Sequence, residues 1–428
     1  MAVERLALAL LTAVDAILIG RYVGDDALAA VGLAGILMWL PTSGAHGLAT
    51  ATTTVIGWDV GSSAVHRLRD SVRTSILIGL IFGAVSSLLF VSLAGPMLNL
   101  MGLEPVAHKE GVDYLTAASF MILGFGALEA VSGALRGAGD TRTPMLIVLF
   151  INVFNAGLTY SLISGSFGLE MGSQGAGIGS AAGALAGGGI ALLVLARGRA
   201  GLKWEVRHAL RVSRAATRRI LELAVPITLG DMQFMVAFLV YTRIIASLGT
   251  QAVAAHTVAI RTIDLGVMPG FALGTAVTAL IGQSLGAERR DLAKQVATSS
   301  LQIALFLMMV MGAAAVLFAP QLSSLYTDSP EVQAEATKAL RVFAIGLPGL
   351  GIMSAYFGVL RGAGDVRWTL IMMTVSVWAL RVPGAFVGAH ILHWGLAGAW
   401  MGAALELNGA AILSVVRVHQ GKWLERRV

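Results

Sequence analysis

One carboxylate stands apart from the other charges of this chain. Asp15 lies in "LTAVDAILIG", with Arg5 the nearest charge before it and Arg21 the nearest after it. A carboxylate held in hydrocarbon is costly, and taking up a proton or a cation relieves the cost, so the group is a candidate for ion binding. A second set follows in "FINVFNAGLTYSLISG", where Asn152, Asn155 and Thr159 fall at i, i+3 and i+7. That spacing puts them on one helical face about two turns tall. Ser180, in the next apolar segment, reaches a similar depth. Neutral oxygens of this kind either line an ion site or bond one helix to another.

Other ionisable residues inside apolar segments have local readings. Glu129 precedes Arg136 by two turns and either answers it or lines an inner cavity. Asp231 and Arg243 share one segment, and Arg261 and Asp264, three residues apart, have the spacing of a local ion pair. Arg381 and Glu406 are placed to pair between the last two segments as a structural contact. His46 and His256 either titrate or bond to a neighbouring helix. The chain has no phosphate-binding glycine loop, no H-E-x-x-H, no G-x-S-x-G and no cluster of His and Asp at metal spacing. Neither enzymatic activity nor a cofactor is expected, and an ATP-driven pump is not indicated. With no cysteine there are no disulfides.

The elements that must position these groups are membrane helices. Hydrophobic residues make up 56% of the 428 and charged residues 13%, which exceeds the apolar content of a water-soluble domain. Apolar runs of about 20 residues recur throughout, and such a run crosses a bilayer. Twelve spans are expected, near 3–21, 27–58, 74–94, 110–135, 143–165, 173–196, 219–247, 251–286, 295–319, 332–360, 368–390 and 393–416. No cleavable leader is apparent after Met1. Of the 30 Lys and Arg, 23 fall at the termini, in the even-numbered loops and in the basic connector at 198–217 and its flanks. That imbalance predicts both termini in the cytoplasm and a multi-pass protein of the cell's inner membrane.

The hexapeptide "LRGAGD" occurs at 135–140 and again at 360–365, an offset of 225. The same offset lays "TATTTVIGWDVG" on "TAVTALIGQSLG" and "GDDALAAV" on "GTQAVAAH". The chain is therefore read as a duplicated six-span unit, with lobes at 1–197 and 218–428 joined by the connector. Because six is even, the repeat is parallel, about an axis along the membrane normal. In each copy the arginine is expected to anchor the inner face, the glycines to make a tight turn and the aspartate to cap the next helix. Met1 falls opposite Pro226, so the first lobe lacks a counterpart of "TRRILELAV", consistent with a late start or a short first helix. Under the same offset Asp15 meets Val240, so that carboxylate belongs to one lobe only.

These stretches, with "VDAILIGRYVGDDALAAVGLA", "TRIIASLGTQAVAAHTVAIR" and "MPGFALGTAVTALIGQSLGA", resemble the multidrug and toxic compound extrusion family, DNA-damage-inducible F (DinF) type. The resemblance implies an all-α membrane protein of two six-helix lobes arranged as a V, exporting organic cations and other amphipathic compounds against inward proton or sodium flow. It matches Asp15 to the coupling aspartate of the first helix, Asn155 to an asparagine of the fifth and Ser180 to a threonine of the sixth. Thr159 stands where a second aspartate is often found, and Phe234 where relatives carry a sodium-linked glutamate. Sodium at Asp15 and Asn155 is thereby weakened, and a single titrating carboxylate suits a proton cycle better. Glu129, Asp231 and Asp264 are secondary candidates. The expected partners are small amphipathic or cationic molecules and the bilayer, with no nucleic acid and function as a monomer. A flippase for lipid-linked saccharides is the nearest alternative; a membrane transferase or a scaffold is further off.

Overall fold

The structure is a computed structural model that describes residues 18–101, 104–165, 171–205 and 211–425. Asp15 and most of the first expected span lie outside these residues. Among the described residues, ten helices are long and apolar enough to cross a membrane, and a pair bent by 48° supplies an eleventh. These eleven coincide with the second to twelfth expected spans.

Helices α1 (Asp25–Gly61) and α2 (Val65–Leu100) are followed by the short α3 (Pro105–Ala118) and α4 (Met121–Gly137), then α5 (Arg142–Ile163) and α6 (Gly172–Ala196). The second half repeats the order with α7 (Arg214–Ala246), α8 (Thr250–Gly286), α9 (Arg290–Ser324), α10 (Pro330–Ala344) and α11 (Leu347–Gly362). Its fifth span is not a plain α-helix. It runs α12 (Val366–Val375), a π turn at Ser376–Arg381, α13 (Val382–Phe386) and a second π turn at Val387–Ile391, before α14 (Gly395–His419). Contacts divide the chain into two compact units between Thr228 and Leu229. Large apolar side chains such as Leu88, Phe306 and Leu317 lie exposed on the helices, as lipid-facing residues must.

Between helices in lipid there is little hydrophobic drive, so association depends on close backbone approach and on hydrogen bonds. In each unit the helix ending in "LRGAGD" is central: α4 packs on α1, α2 and α6, and α11 packs on the equivalent α8, α9 and α14. Glycine makes this possible. A Cβ at Gly133 would stand 2.4 Å from the carbonyl oxygen of Ala49, and one at Gly358 would stand 2.4 Å from that of Gly274. The Thr53 hydroxyl donates to the Gly133 carbonyl at 3.1 Å, and the Thr278 hydroxyl to that of Gly358 at 3.3 Å. All these partners are 225 residues apart, so the duplication is retained at the level of single hydrogen bonds.

The repeated hexapeptide closes α4 and α11 in the same way. Asp140 N–H donates to Leu135 O and Gly139 N–H to Arg136 O; Asp365 and Gly364 repeat both bonds on Leu360 and Arg361. This is a Schellman closure, which needs a left-handed residue, and Gly139 and Gly364 supply it at φ 93° and 77°. The aspartates then diverge. Asp140 caps α5 as expected, accepting from the Thr143 amide at 3.0 Å and its hydroxyl at 2.7 Å, and takes Arg199 at 2.9 Å. Asp365 makes no side-chain cap; its buried carboxylate instead holds Arg417 at 2.8 Å through both Nε and Nη2. In both units the aspartate therefore ties the turn to an arginine at or just beyond the end of the sixth helix. Arg136 of the first motif is buried and meets Glu129 at 3.6 Å.

Replacing Gly133 or Gly358 by alanine is expected to lower stability by about 1–3 kcal/mol, the usual cost of overpacking. Gly189, with nothing within 4 Å of its Cβ position, should tolerate alanine. Thermal unfolding in detergent distinguishes the sites. Burial pushes the Asp140 carboxyl up, but the Thr143 amide and hydroxyl and the Arg199 guanidinium outweigh it and hold the group below the ordinary range. Its stabilisation is thus present above the unfolded value of about 4 and lost as pH falls through the lowered folded value. The melting-temperature gap between wild type and Asp140→Asn should accordingly be full at neutral pH and narrow below about pH 4.

Candidate functional site

The fifth and sixth spans of the first unit bring three of the predicted residues together. On α5, Asn155 and Thr159 are one turn apart, and both are buried against α6. The small residues of α6 permit the approach: a Cβ at Gly179 would collide with the Thr159 hydroxyl, and one at Gly183 would stand 3.2 Å from the Cβ of Asn155. Asn155 Nδ2 then donates to Ser180 Oγ at 3.1 Å and to Thr159 Oγ1 at 3.4 Å. With the amide nitrogen directed to these hydroxyls, the buried Asn155 Oδ1 has no hydrogen-bond partner among the described residues. The site therefore presents an acceptor oxygen, suited to a protonated carboxyl or a cation. Asn152, one turn earlier on α5, is only half-buried.

The secondary candidates lie elsewhere. Glu129 meets Arg136 at 3.6 Å, as the first of its two readings expects. Asp231 interacts electrostatically with Arg361, the arginine of the second hexapeptide, so each unit answers that arginine with a carboxylate from a different position. Asp264 feels the charge of Arg261 one turn away, but the expected local ion pair does not close at contact distance; both side chains are exposed on α8. Neither ring nitrogen of His256 has a hydrogen-bond partner among the described residues, so the expected bond to a neighbouring helix does not form. The ring is buried among Tyr241, Phe238 and Trp400, with ring centroids 5.7, 6.3 and 5.5 Å away.

Sequence reasoning passed over Asp59, which is fully buried at the end of α1. It accepts from Ser71 at 2.6 Å and from Arg219 at 2.9 Å, while Arg219 also lies over the Trp58 ring at 5.7 Å. The available signal was an acid just before a basic loop, at a repeat position where the other half has Ser284. The Arg381–Glu406 pair, in contrast, forms as expected, with Nε and Oε2 at 2.8 Å and both side chains buried.

A family model described as MatE matches residues 1–161 and again residues 226–387, two matches that begin 225 residues apart as the hexapeptides do. The "Probable multidrug resistance protein NorM" of Thermotoga maritima is 26% identical over 417 residues, covering 97% of this chain and 89% of that one. A protein of the same description from Bacillus cereus is 27% identical over 390 residues, covering 90% and 86%. Among solved structures, a MOP superfamily transporter from Pyrococcus furiosus superposes with a TM-score of 0.91 at 22% identity, covering 100% of this chain and 95% of that one. The "outward-facing conformation of a multidrug resistance MATE family transporter" gives the same TM-score, identity and coverage. The two halves match the family model, the full-length relatives align across the entire repeat, and the helices follow the same path: this chain belongs to the multidrug and toxic compound extrusion (MatE) family.

Proposed function

We propose that the protein is a proton-driven exporter of organic cations and amphipathic compounds, of the DinF type, with Asp15 as the coupling carboxylate of the first unit. The observation that carries this reading is the arrangement around Asn155. Its Nδ2 donates to Ser180 and Thr159, so its Oδ1 is left as a buried acceptor beside neutral hydroxyls. A protonated carboxyl is a donor of the kind this acceptor lacks. Thr159 and Ser180 contribute hydroxyls and no charge, so the trio offers a sodium ion little compensation and a carboxylic acid a good match. Proton uptake from outside then favours one arrangement of the first unit's helices and lowers substrate affinity, which it can do only through its differential affinity for the two states. The protein works in this reading as a monomer in the inner membrane with both termini in the cytoplasm, as the distribution of Lys and Arg indicates.

The test uses the full chain in proteoliposomes loaded with a fluorescent organic cation. Asp15→Asn is expected to bind the cation but to lose export driven by an imposed pH gradient, by roughly 5–150-fold, the range of ordinary coupling free energies. Asn155→Leu should shift the pH profile of export without abolishing substrate binding. Export by Asp15→Asn equal to wild type, with the same pH dependence, would contradict the assignment.

A further inference from the structure

The gapless offset of 225 holds as far as the second hexapeptide and then fails. In the second unit the π turn at Ser376–Arg381 inserts a residue into the fifth span, and the hairpin to α14 is shorter than its counterpart. Contacts between the fifth and sixth spans restore the correspondence. A Cβ at Gly175 would meet Leu162, and one at Gly398 would meet Gly388; one at Gly179 would meet Thr159, and one at Gly402 would meet Ala385. Each pair in the fifth span is offset by 226 and each pair in the sixth by 223. The helix starts agree, since Gly172 and Gly395 both open the sixth span with positive φ, 52° and 57°. The next step of the same series takes Asn155, packed on Gly183, to Arg381, paired with Glu406. The ion pair of the second unit thus occupies the repeat position of the polar site in the first.

We propose that the Arg381–Glu406 pair is a second proton-coupling site, in which Glu406 accepts the proton and Arg381 compensates its charge in the deprotonated state. This rests on the proton-driven reading of the chain. The pair is poorly explained as a structural bond. The two groups approach to 2.8 Å, yet their orientation misses hydrogen-bond geometry, and Arg381 Nε and Nη1 and Glu406 Oε2 have no hydrogen-bond partner among the described residues. Both nitrogens of His256, the Tyr241 hydroxyl, Trp400 Nε1 and Ser376 Oγ, all buried, share that condition. Buried ion pairs contribute to stability when their remaining lone pairs and protons are saturated, and a buried polar group left unsatisfied calls for an explanation, of which a functional role is one. π turns are likewise common at functional sites.

The charged and titratable groups facing Glu406 are few. Arg381 comes from the π turn, and Tyr241, from α7, lies 5.3 Å below the Arg381 guanidinium; His256, from α8, stands 5.7 Å from the Tyr241 ring and feels the charge of Arg381. Phe234 covers the guanidinium at 5.0 Å. From α10, Lys338 and Arg341 are exposed, from α11, Arg361 is engaged with Asp231, and from the second π turn His390 bonds Ser247. When Glu406 is ionised the pair is neutral. When Glu406 takes up a proton at Oε2, the guanidinium is left as a net positive charge against the Phe234 and Tyr241 rings. Proton uptake therefore adds one positive charge to the unit, which disfavours a bound organic cation and couples the two by exchange.

The test counts protons taken up per fluorescent cation exported in proteoliposomes, and records infrared difference spectra of the full chain between acid and alkaline pH in the protonated-carboxyl region. The expected result is that Glu406→Gln removes one carboxyl band that Asp15→Asn retains, and lowers the proton count by one. Glu406→Gln leaves Arg381 unpaired and can impair folding, so the doubly neutral Arg381→Leu/Glu406→Leu protein is measured beside it. This variant should melt as wild type does yet show the same lower proton count. Unchanged bands and an unchanged count in the variants overturn the second site alone, provided wild type answers a pH gradient. Wild-type export indifferent to a pH gradient overturns the proton-driven reading, and this coupling role with it.

Discussion

Backbone polar groups carried into a bilayer must be bonded within the protein, and in this chain the bonds between helices form where backbone touches backbone. The contact of Gly133 with Ala49 and of Gly358 with Gly274 sets the spacing of each unit. At that distance a threonine hydroxyl from one helix reaches a carbonyl of the next, and the glycines of the sixth span let Asn155 meet the Ser180 hydroxyl across the interface. A larger residue at any of these positions would separate the helices and leave the polar groups without partners. The abundance of glycine is thus a condition of the polar chemistry and not merely of packing.

Duplication has preserved this scaffold and let the polar groups diverge. The threonine–glycine bond and the closure of the central helix are the same in both units. The carboxylate answering the motif's arginine comes from Glu129 in one unit and from Asp231 in the other. At the equivalent level of the fifth and sixth spans, one unit holds neutral amide and hydroxyl groups and the other a guanidinium and a carboxylate. One framework thus carries different charges in its two halves.

The twelve-span outline was legible because the apolar periodicity is long and the loops are marked by arginine; eleven spans appear where expected, and the first lies outside the described residues. The hexapeptide identified the repeat because both copies do the same work at a helix end. Its aspartates were only half legible. Capping is a local pattern visible in "GDTRT", whereas the bond from Asp365 to Arg417 spans 52 residues and leaves no local trace. Asn155 and Thr159 could be read together because residues four apart share a helical face, and Ser180 because its depth in the next span matches theirs. The equivalence of Asn155 with Arg381 could not, since a π turn adds a residue without any fixed sequence signature. Pro383 is the nearest signal: a residue lacking an amide proton inside an apolar span leaves an earlier carbonyl unbonded, which wider turns accommodate.

The central claim is that proton flow, received by carboxylates at these polar levels, drives export. Its most direct test is efflux of a fluorescent organic cation from proteoliposomes containing the full chain, with a pH gradient and a sodium gradient imposed separately at fixed membrane potential. The account predicts export under the pH gradient alone, undiminished when sodium is absent on both sides. Export that requires a sodium gradient and ignores pH would contradict it.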